Sequence, residues 1–405
     1  MYNPFSNNIH QAERNKNGEW FYQLFSSDNI AVKLKTEKER LDAVLNNPAA
    51  LKVFKLQCDL FSLAEVSVVN KGSNKIKSND PLYNHLKRPN LYQTQRQFLW
   101  DYMFWTMLGT SYLYTSSKVL NDNTIQYFLD PTRFVWTEEI INALDKNIVS
   151  KKSYSNNMNM YIDYYNLDGT WSKYQLKDIT TFFDLSNGIG NWFRGNSAID
   201  ALYKVITNSE KGLDAKGINL DFSAKYFATG THKEEDVYGS PMTDSEKNSI
   251  EKSFKKNKAV HATKSNVTLQ RFVDDIAALK LDEGYFADYF IIGGMYGIPR
   301  DVLEANLNGS TYENQEKARA SFVDYCLRPK GEDLMNGLEN IFGYNDRNID
   351  LHISWSHLSF MQVVERDRAS LKASQLANLR QAQEMMILNG EEVIARGKEI
   401  MGYDG

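Results

Sequence analysis

Apolar positions along this chain recur first at helical spacing, then in alternation, then at helical spacing again. Thr36–Asn46 predicts a short helix, and Pro48 opens a second one at the first helical position, where its missing N–H costs nothing. That second helix carries Leu51, Phe54, Lys55 and Cys58 at helical spacing and yields to a strand over Glu65–Val69. Asp80-Pro81 predicts a capped start for another short helix. Thr94-x-x-Gln97 is a capping box that opens a helix apolar on almost every side, and hence buried. From Thr110 to Leu185 the period shifts to two, which predicts an all-β block of strands and hairpins with a turn at Asp168-Gly169.

Ser197–Ala228 then reads as a helix of about 48 Å if unbroken. Gly212 and Gly217 inside it cost roughly 1 kcal/mol each against alanine, so a close neighbour or a bend is expected there. After a polar loop over Thr231–Ser240, Thr243-x-x-Glu246 opens a helix. Strands are predicted at Lys258–Thr263 and Asn266–Val273. Asp274–Ile298 is helical and stops at Gly293-Gly-Met-Tyr-Gly-Ile-Pro299; a loop over Pro299–Gly309 leads to the capping box Ser310-x-x-Glu313. Pro329 falls inside the helix that follows, where its ring costs about 3 kcal/mol, so a kink or break is predicted. A strand from Ile349 to Trp355 and a C-terminal helical block complete the chain, which contains no repeat.

Composition narrows the classes. A chain of 405 residues accommodates two or three domains and a substantial core. Its two cysteines, Cys58 and Cys326, lie far apart, which excludes a disulfide framework or zinc ribbon and fits a reducing compartment. With 47 basic and 51 acidic side chains the formal charge is −4, which argues against gripping nucleic acid through bulk charge. The polar first twenty residues predict no secretory leader, and no window predicts a membrane span. Aromatic residues make up 13% of the chain and crowd the β block; packing of a twisted sheet outweighs a carbohydrate or base-stacking platform as their reading.

Motifs for chemistry are missing. There is no Walker loop, no His-Glu-x-x-His and no Gly-x-Ser-x-Gly. Gly188, Gly190 and Gly195 have the wrong spacing for a dinucleotide loop. His352 and His357, five apart, fall on opposite faces of a strand and cannot share a metal. The acid pairs Asp274-Asp275 and Asp163/Asp184 could be set against a nuclease or glycosidase, but no spacing positions them. No catalytic, cofactor-binding or metal residue is therefore assigned. Lys252, Lys255, Lys256, Lys258, Lys264 and Arg271 form a stretch without acids between Glu251 and Asp274. A solvated helix face outweighs a docking face on this evidence alone.

Several stretches, in order, resemble one family. They are Asp80–Tyr114 (DPLYNHLKRPN through TMLGTSYLY), Gly195–Ile206 (GNSAIDALYKVI), Phe286–Pro329 (FADYFIIGGMYGIPRDVL through DYCLRP), and the strand IDLHISW with the helices after it. Each is similar to the corresponding part of the portal, or head–tail connector, proteins of long-tailed double-stranded DNA phages. Two departures stand out: Ala198 occupies a position where the family usually has proline, and Phe183-Asp184-Leu185 lacks the usual histidine.

The resemblance implies an α+β portal fold and no enzymatic activity. Its parts would be a wing (1–191 and 310–357), a two-helix stem (192–230 and 274–298), a small α/β clip (231–273), a tunnel loop (299–309) and a short helical crown (358–405). It implies a self-assembled ring of twelve subunits at one capsid vertex, built in the host bacterial cytoplasm, through which double-stranded DNA is packaged and ejected. Further partners would be the large terminase, capsid and scaffold proteins, and then head-completion and tail proteins, with no membrane. On this basis Arg300, Asp301, Glu304, Asn306 and Asn308 would face the channel. Lys252, Lys255, Lys256, Lys258 and Lys264 would face the terminase or adaptor. Tyr285, Phe286, Tyr289 and Phe290 would pack stem against stem, within or between subunits, and Pro329 would kink the long helix. A channel lining of acids and amides offers few phosphate anchors, as sliding DNA requires. The alternatives are a portal of a prophage-derived or gene-transfer-type particle and, more remotely, a metal-dependent nuclease or glycan-processing enzyme.

Overall fold

The computed structural model describes residues 12–14, 20–22, 36–71, 76–77, 79–145, 158–185, 193–222, 226–230, 267–271, 281–304, 312–347, 349–385 and 389–401, with Ser245, Asn248 and Lys252 as isolated helical positions. The chain is mixed α+β and divides into two compact units, Met1–Ile206 with Tyr289–Gly405, and Thr207–Asp288.

In the larger unit a short ribbon pairs β1 (Ala12–Arg14) with β2 (Trp20–Tyr22). Helix α1 (Glu37–Asn46) starts at a Thr36–Glu39 capping box. In α2 (Pro48–Phe61) the buried face is Ala49, Ala50, Val53, Phe54, Gln57, Cys58 and Phe61, so Leu51 and Lys55 lie off the stripe expected for them. Strand β3 (Glu65–Asn70) follows. Asp80 caps α3 (Pro81–Lys87), and the Thr94–Gln97 box opens α4 (Gln95–Met107), whose Phe98, Leu99, Tyr102, Met103 and Phe104 are all buried. These caps formed where their side-chain chemistry predicted.

The β block forms two three-stranded antiparallel sheets. One orders β5 (Gln126–Leu129), β4 (Thr110–Thr115) and β9 (Ile179–Phe183); the other orders β6 (Phe134–Val135), β7 (Tyr161–Tyr165) and β8 (Trp171–Gln175). The β7–β8 hairpin turns at Gly169, whose φ of 82° favours glycine. The block is not all β: α5 (Glu138–Asp145) interrupts it and buries Ile140 and Ile141. Between the sheets, Tyr112, Phe134, Ile162, Tyr164, Leu176 and Phe193 form one core, with Trp136 and Tyr174 packed against it. Most of the described aromatics of this block therefore pack sheet, as expected, while Tyr161, Tyr165 and Trp171 on its outer side are exposed.

Helix α6 (Ala198–Phe222) is 25 residues long and ends before the predicted limit, because Tyr226–Gly230 is strand β10, paired antiparallel with β11 (Val267–Arg271) in the smaller unit. A Cβ added at Gly212 or Gly217 would meet no atom within 4 Å, so the close neighbour expected at each is absent among the described residues. Helix α7 (Leu281–Met295) is followed by the short α8 (Arg300–Leu303), so the predicted loop begins as a helical turn.

Helix α9 (Tyr312–Phe322) continues through one π turn, Val323–Leu327, into α10 (Arg328–Phe342). The helix does not break at Pro329; the ladder widens instead, with the Arg328 N–H reaching the Val323 carbonyl. Widening the turn before a proline is one way to accommodate a ring that has no N–H and crowds the preceding carbonyls. Strand β12 (Ile349–Ser354) pairs with β3, while His357 lies beyond that strand with its Nδ1 3.8 Å from the Glu65 carboxylate. Helices α11 (Ser359–Glu384) and α12 (Gly390–Met401) close the chain.

Candidate functional site

The end of α7 shows why its sequence reads Gly293-Gly-Met-Tyr-Gly-Ile-Pro. The Ile298 N–H donates to the Gly293 carbonyl and the Gly297 N–H to the Gly294 carbonyl, both at 3.0 Å, around a Gly297 of φ 73°. That is a Schellman stop, and Pro299 after it prevents the helix from resuming. A Cβ at Gly297 would lie 2.5 Å from Cys326 Sγ in the π turn, and one at Gly293 would lie 2.4 Å from Leu303 Cδ1. The two glycines thus let the helix end sit against the long helix and let α8 fold back onto α7. Tyr296 anchors the stop from below: it is buried, its hydroxyl donates to the Met107 carbonyl at 3.2 Å, and its ring meets Phe54 edge-on at 5.3 Å.

Beyond the stop, Arg300 Nε donates to Glu304 Oε1 at 2.5 Å, and its guanidinium lies 4.7 Å from the centre of the Phe290 ring. The one base of this segment is therefore engaged within its own chain. Asp301 is exposed and, among the described residues, has no ion-pair partner. Asn306 and Asn308 lie outside the described residues. Of the four α7 aromatics, Tyr289 is buried under the Lys52 ammonium at 4.7 Å, whereas Tyr285, Phe286 and Phe290 remain partly exposed. Burial inside its own chain removes Tyr289 from any surface. Lys252 is exposed; Lys255, Lys256, Lys258 and Lys264 lie outside the described residues.

A charged hub fixes the start of α6. Gly195 donates its N–H to Thr110 Oγ1 at 2.9 Å, and a Cβ there would lie 2.6 Å from Phe183 Cδ1, so only glycine fits this crossing. Ser197 Oγ donates to the Met107 carbonyl at 3.2 Å. The Ala198 N–H donates to Asp184 Oδ2 at 3.0 Å. A proline at 198 would have no N–H to give to Asp184. Asp184 also faces Lys330, whose ammonium donates to the Phe183 and Asp184 carbonyls at 3.2 and 3.0 Å and lies 3.5 Å from the carboxylate. Burial raises the Asp184 carboxyl above its ordinary range, outweighing the opposing effects of Lys330 and the Ala198 N–H.

In the first turn of α6, Asp200 accepts two bonds from Arg40, at 2.9 and 2.8 Å, a bidentate pair that also suits the helix N-terminus. Arg194 donates to Glu37 at 2.5 Å and stacks over Trp136 at 4.7 Å. Burial alone would raise the Glu37 carboxyl, but Arg194 and Arg40 outweigh it and hold it below the usual range. Of the charged residues of this hub, only Asp184 was singled out by sequence. Lys330 and Asp184 lie far apart along the chain, and nothing local marks their meeting.

Of the acids considered for catalysis, the described Asp163 and Asp184 are each committed to other partners. Asp163 sits on β7 with Lys173 at 3.5 Å, Asp184 is committed to the helix cap and Lys330, and Asp274-Asp275 lie outside the described residues. Cys58 is buried and Cys326 half-buried, both as free thiols. Among the described residues no group of three or more His, Cys, Asp and Glu could hold a metal ion, and no helix is long and apolar enough to cross a membrane.

No protein-family model and no curated protein matches the sequence. Solved structures do match. A chain from the neck of the empty gene transfer agent (GTA) particle, computed with C6 symmetry, superposes with a TM-score of 0.60 at 14% identity, over 84% of this chain and 88% of that one. A chain from the neck of the native particle, computed with C12 symmetry, gives 0.57 at 13% identity over 88% and 91%. The chain has the fold of these GTA neck chains. The HK97 family phage portal protein from Corynebacterium diphtheriae matches over 80% of this chain and 96% of its own, with a TM-score of 0.48 at 10% identity. The neck fold accounts for most of the chain.

Proposed function

We propose that this protein is a portal-type subunit, a structural and non-enzymatic component of a phage or gene transfer agent particle. Its copies form a closed ring of twelve at one vertex, and double-stranded DNA passes through without sequence-specific contact. The observation that carries this reading is the fold shared with GTA neck chains over 84% and 88% of the sequence, one of them in a neck of C12 symmetry. In this reading residues 1–191 and 310–357 are the wing, 192–230 and 274–298 the stem, 231–273 the clip, 299–309 the tunnel loop and 358–405 the crown. The clip lysines dock the large terminase and later the head-completion and tail proteins, while capsid and scaffold proteins surround the wing. The pairing of Arg300 with Glu304 supports a conduit that does not grip, since it leaves Asp301 as the uncompensated charge of the described loop residues.

Mass photometry of the purified chain tests the ring. Twelve copies of 46.6 kDa give a particle of about 560 kDa. A monomer that persists at high concentration refutes the reading. Deleting Leu303–Asn308 is expected to leave rings intact and to lower packaged DNA; normal DNA content in that variant refutes the role given to the loop. The match to GTA necks favours a gene-transfer-type or prophage-derived particle as the second reading, and a neighbouring large-terminase gene beside capsid and protease genes would separate it from a complete phage.

A further inference from the structure

Helix α3 presents Pro81, Asn84, His85 and Arg88, spaced as one helix face, to the loop Leu120–Ile125 that joins β4 to β5. Between the helix and the loop lies a cleft of about 770 Å3. Its back is fixed by hydrogen bonds. Gln126 is fully buried; its Nε2 donates to Thr115 Oγ1 at 3.0 Å, and its Oε1 lies 3.1 Å from His85 Nε2. Asn90 donates to the Gln126 carbonyl at 2.9 Å and accepts the Tyr92 and Gln93 N–H groups. In the loop, Asn121 Oδ1 accepts the Asn123 N–H at 2.9 Å, and the Asn121 N–H donates to the hydroxyl of the buried Thr124 at 3.0 Å.

The front of the cleft is unspent. Asn84, Arg88 and Asn123 are exposed, and their side chains have no hydrogen-bond or ion-pair partner among the described residues. A free guanidinium together with free amides suits a ligand rich in acceptors that carries a carboxylate. Asp122 also lines the cleft without an ion-pair partner among the described residues. Burial holds His85 below the usual imidazole value and hence neutral, so the lining has no net charge and does not suit a polyphosphate. No Phe, Tyr or Trp is among the described lining residues, which removes the stacking surface that a nucleobase or a sugar would need. Apolar area comes instead from Pro81, Leu91, Leu120 and Ile125.

We propose that this cleft binds an extended segment of another protein in which apolar and acidic residues alternate. The main-chain N–H and C=O groups of such a segment meet side-chain amides, which both donate and accept. Its side chains point alternately to opposite sides, so the acids reach Arg88 while the apolar ones cover Leu91, Leu120 and Ile125. The walls are already held by their own hydrogen bonds, so little ordering is needed when the segment docks.

The proposal does not depend on ring formation and is tested on the full chain in whatever oligomer it forms. Fluorescence anisotropy follows a labelled Leu-Glu-Leu-Glu-Leu-Glu peptide titrated with wild type, Arg88→Gln, Arg88→Lys, Asn84→Ala and Arg96→Gln. Saturable binding is expected, weakened at least about tenfold by Arg88→Gln and about threefold by Asn84→Ala. Arg88→Lys, which keeps the charge without the planar fork, should recover part of the loss. Arg96→Gln removes an equal charge at an exposed position outside the cleft and is expected to bind as wild type. All the replaced side chains are exposed, and an unchanged thermal midpoint verifies folding. No binding of the peptide, equal binding by Arg88→Gln, or an equal loss with Arg96→Gln overturns the proposal. Equal affinity for a Leu-Lys-Leu-Lys-Leu-Lys peptide overturns the acidic specificity, and binding of chitohexaose or a short DNA duplex in place of the peptide overturns the ligand class.

Discussion

Replacing Gly297 by alanine probes the joint between the α7 stop and the π turn. The added methyl is penalised twice. A residue with a Cβ at φ 73° costs about 1–2 kcal/mol in the left-handed region. The same Cβ would stand 2.5 Å from Cys326 Sγ, far inside van der Waals contact, and relieving such overpacking costs about 1–3 kcal/mol. The two contributions can be separated because only the second depends on the sulfur. With Cys326 cut back to alanine, the nearest remaining atom is its Cβ at 3.8 Å, an ordinary contact. Gly297→Ala is thus expected to destabilise by about 2–5 kcal/mol. Cys326→Ala alone should lose about 1 kcal/mol, mostly the thiol contact with the Gly297 carbonyl at 3.5 Å. The double variant should then be more stable than the sum of the single losses by about 1–3 kcal/mol. Urea midpoints for the four proteins close this cycle. Strict additivity would show that the stop and the π turn do not touch, and would remove the mechanical link between the segment after Ile298 and the long helix.

Two further perturbations address the hub. Asp184→Ala removes the acceptor for the Ala198 N–H and leaves the partly buried Lys330 with only carbonyl oxygens. A lost cap of about 1 kcal/mol and a weakened charge partner should cost about 2–4 kcal/mol together, while Asp184→Asn, which keeps the cap, should recover about 1 kcal/mol of it. Equal losses in the two variants would show that the cap contributes nothing. Glu37 titrates below its ordinary value in the folded chain, so its ion pair contributes stability above the unfolded-state value and loses it as pH falls through the lowered one. Glu37→Gln should therefore flatten the fall of the thermal midpoint between about pH 5 and pH 3, although its midpoint at pH 7 will be lower. An unchanged acid limb would exclude Glu37 from the acid sensitivity.

Elements with a chemical signal at their own ends were legible in the sequence. Asp80, Thr94 and Pro48 each announce a helix start through one side chain, and each helix begins there. Elements without such a signal were misjudged. Nothing between Phe222 and Ala228 breaks a helix, so the helical reading ran on into β10; what ends it is pairing with β11, some forty residues later. Helix α5 was absorbed into the β block because its short apolar face, Ile140 and Ile141, does not distinguish it from a strand. The loop residues Arg300, Asp301 and Glu304 could be named, but not the bond that ties Arg300 to Glu304. The exposure of Tyr161, Tyr165 and Trp171 was hidden because alternation reveals that two faces exist and not which of them is covered. Long-range partners such as Lys330 with Asp184, or Gly293 with Leu303, leave no periodic trace at all.

The π turn has one more consequence, which concerns rotational phase. From Glu316 through Ala320, Val323, Leu327, Gly331, Leu334 and Leu338 to Phe342, 26 residues further on, one side of the long helix is buried. At 100° per residue an uninterrupted α-helix would carry Phe342 about 80° past the line of Glu316. A π turn absorbs one residue, which brings the two within about 20° of each other. The widened turn thus keeps one side of a three-segment helix facing one direction, and it marks the place where chain length and helical phase are uncoupled. Removing one residue from Val323–Leu327, together with Pro329→Ala, is expected to yield a plain helix with both buried stretches still aligned. The same deletion within Tyr312–Phe322 would turn everything after it by about 100° and expose the stretch that now packs against β12.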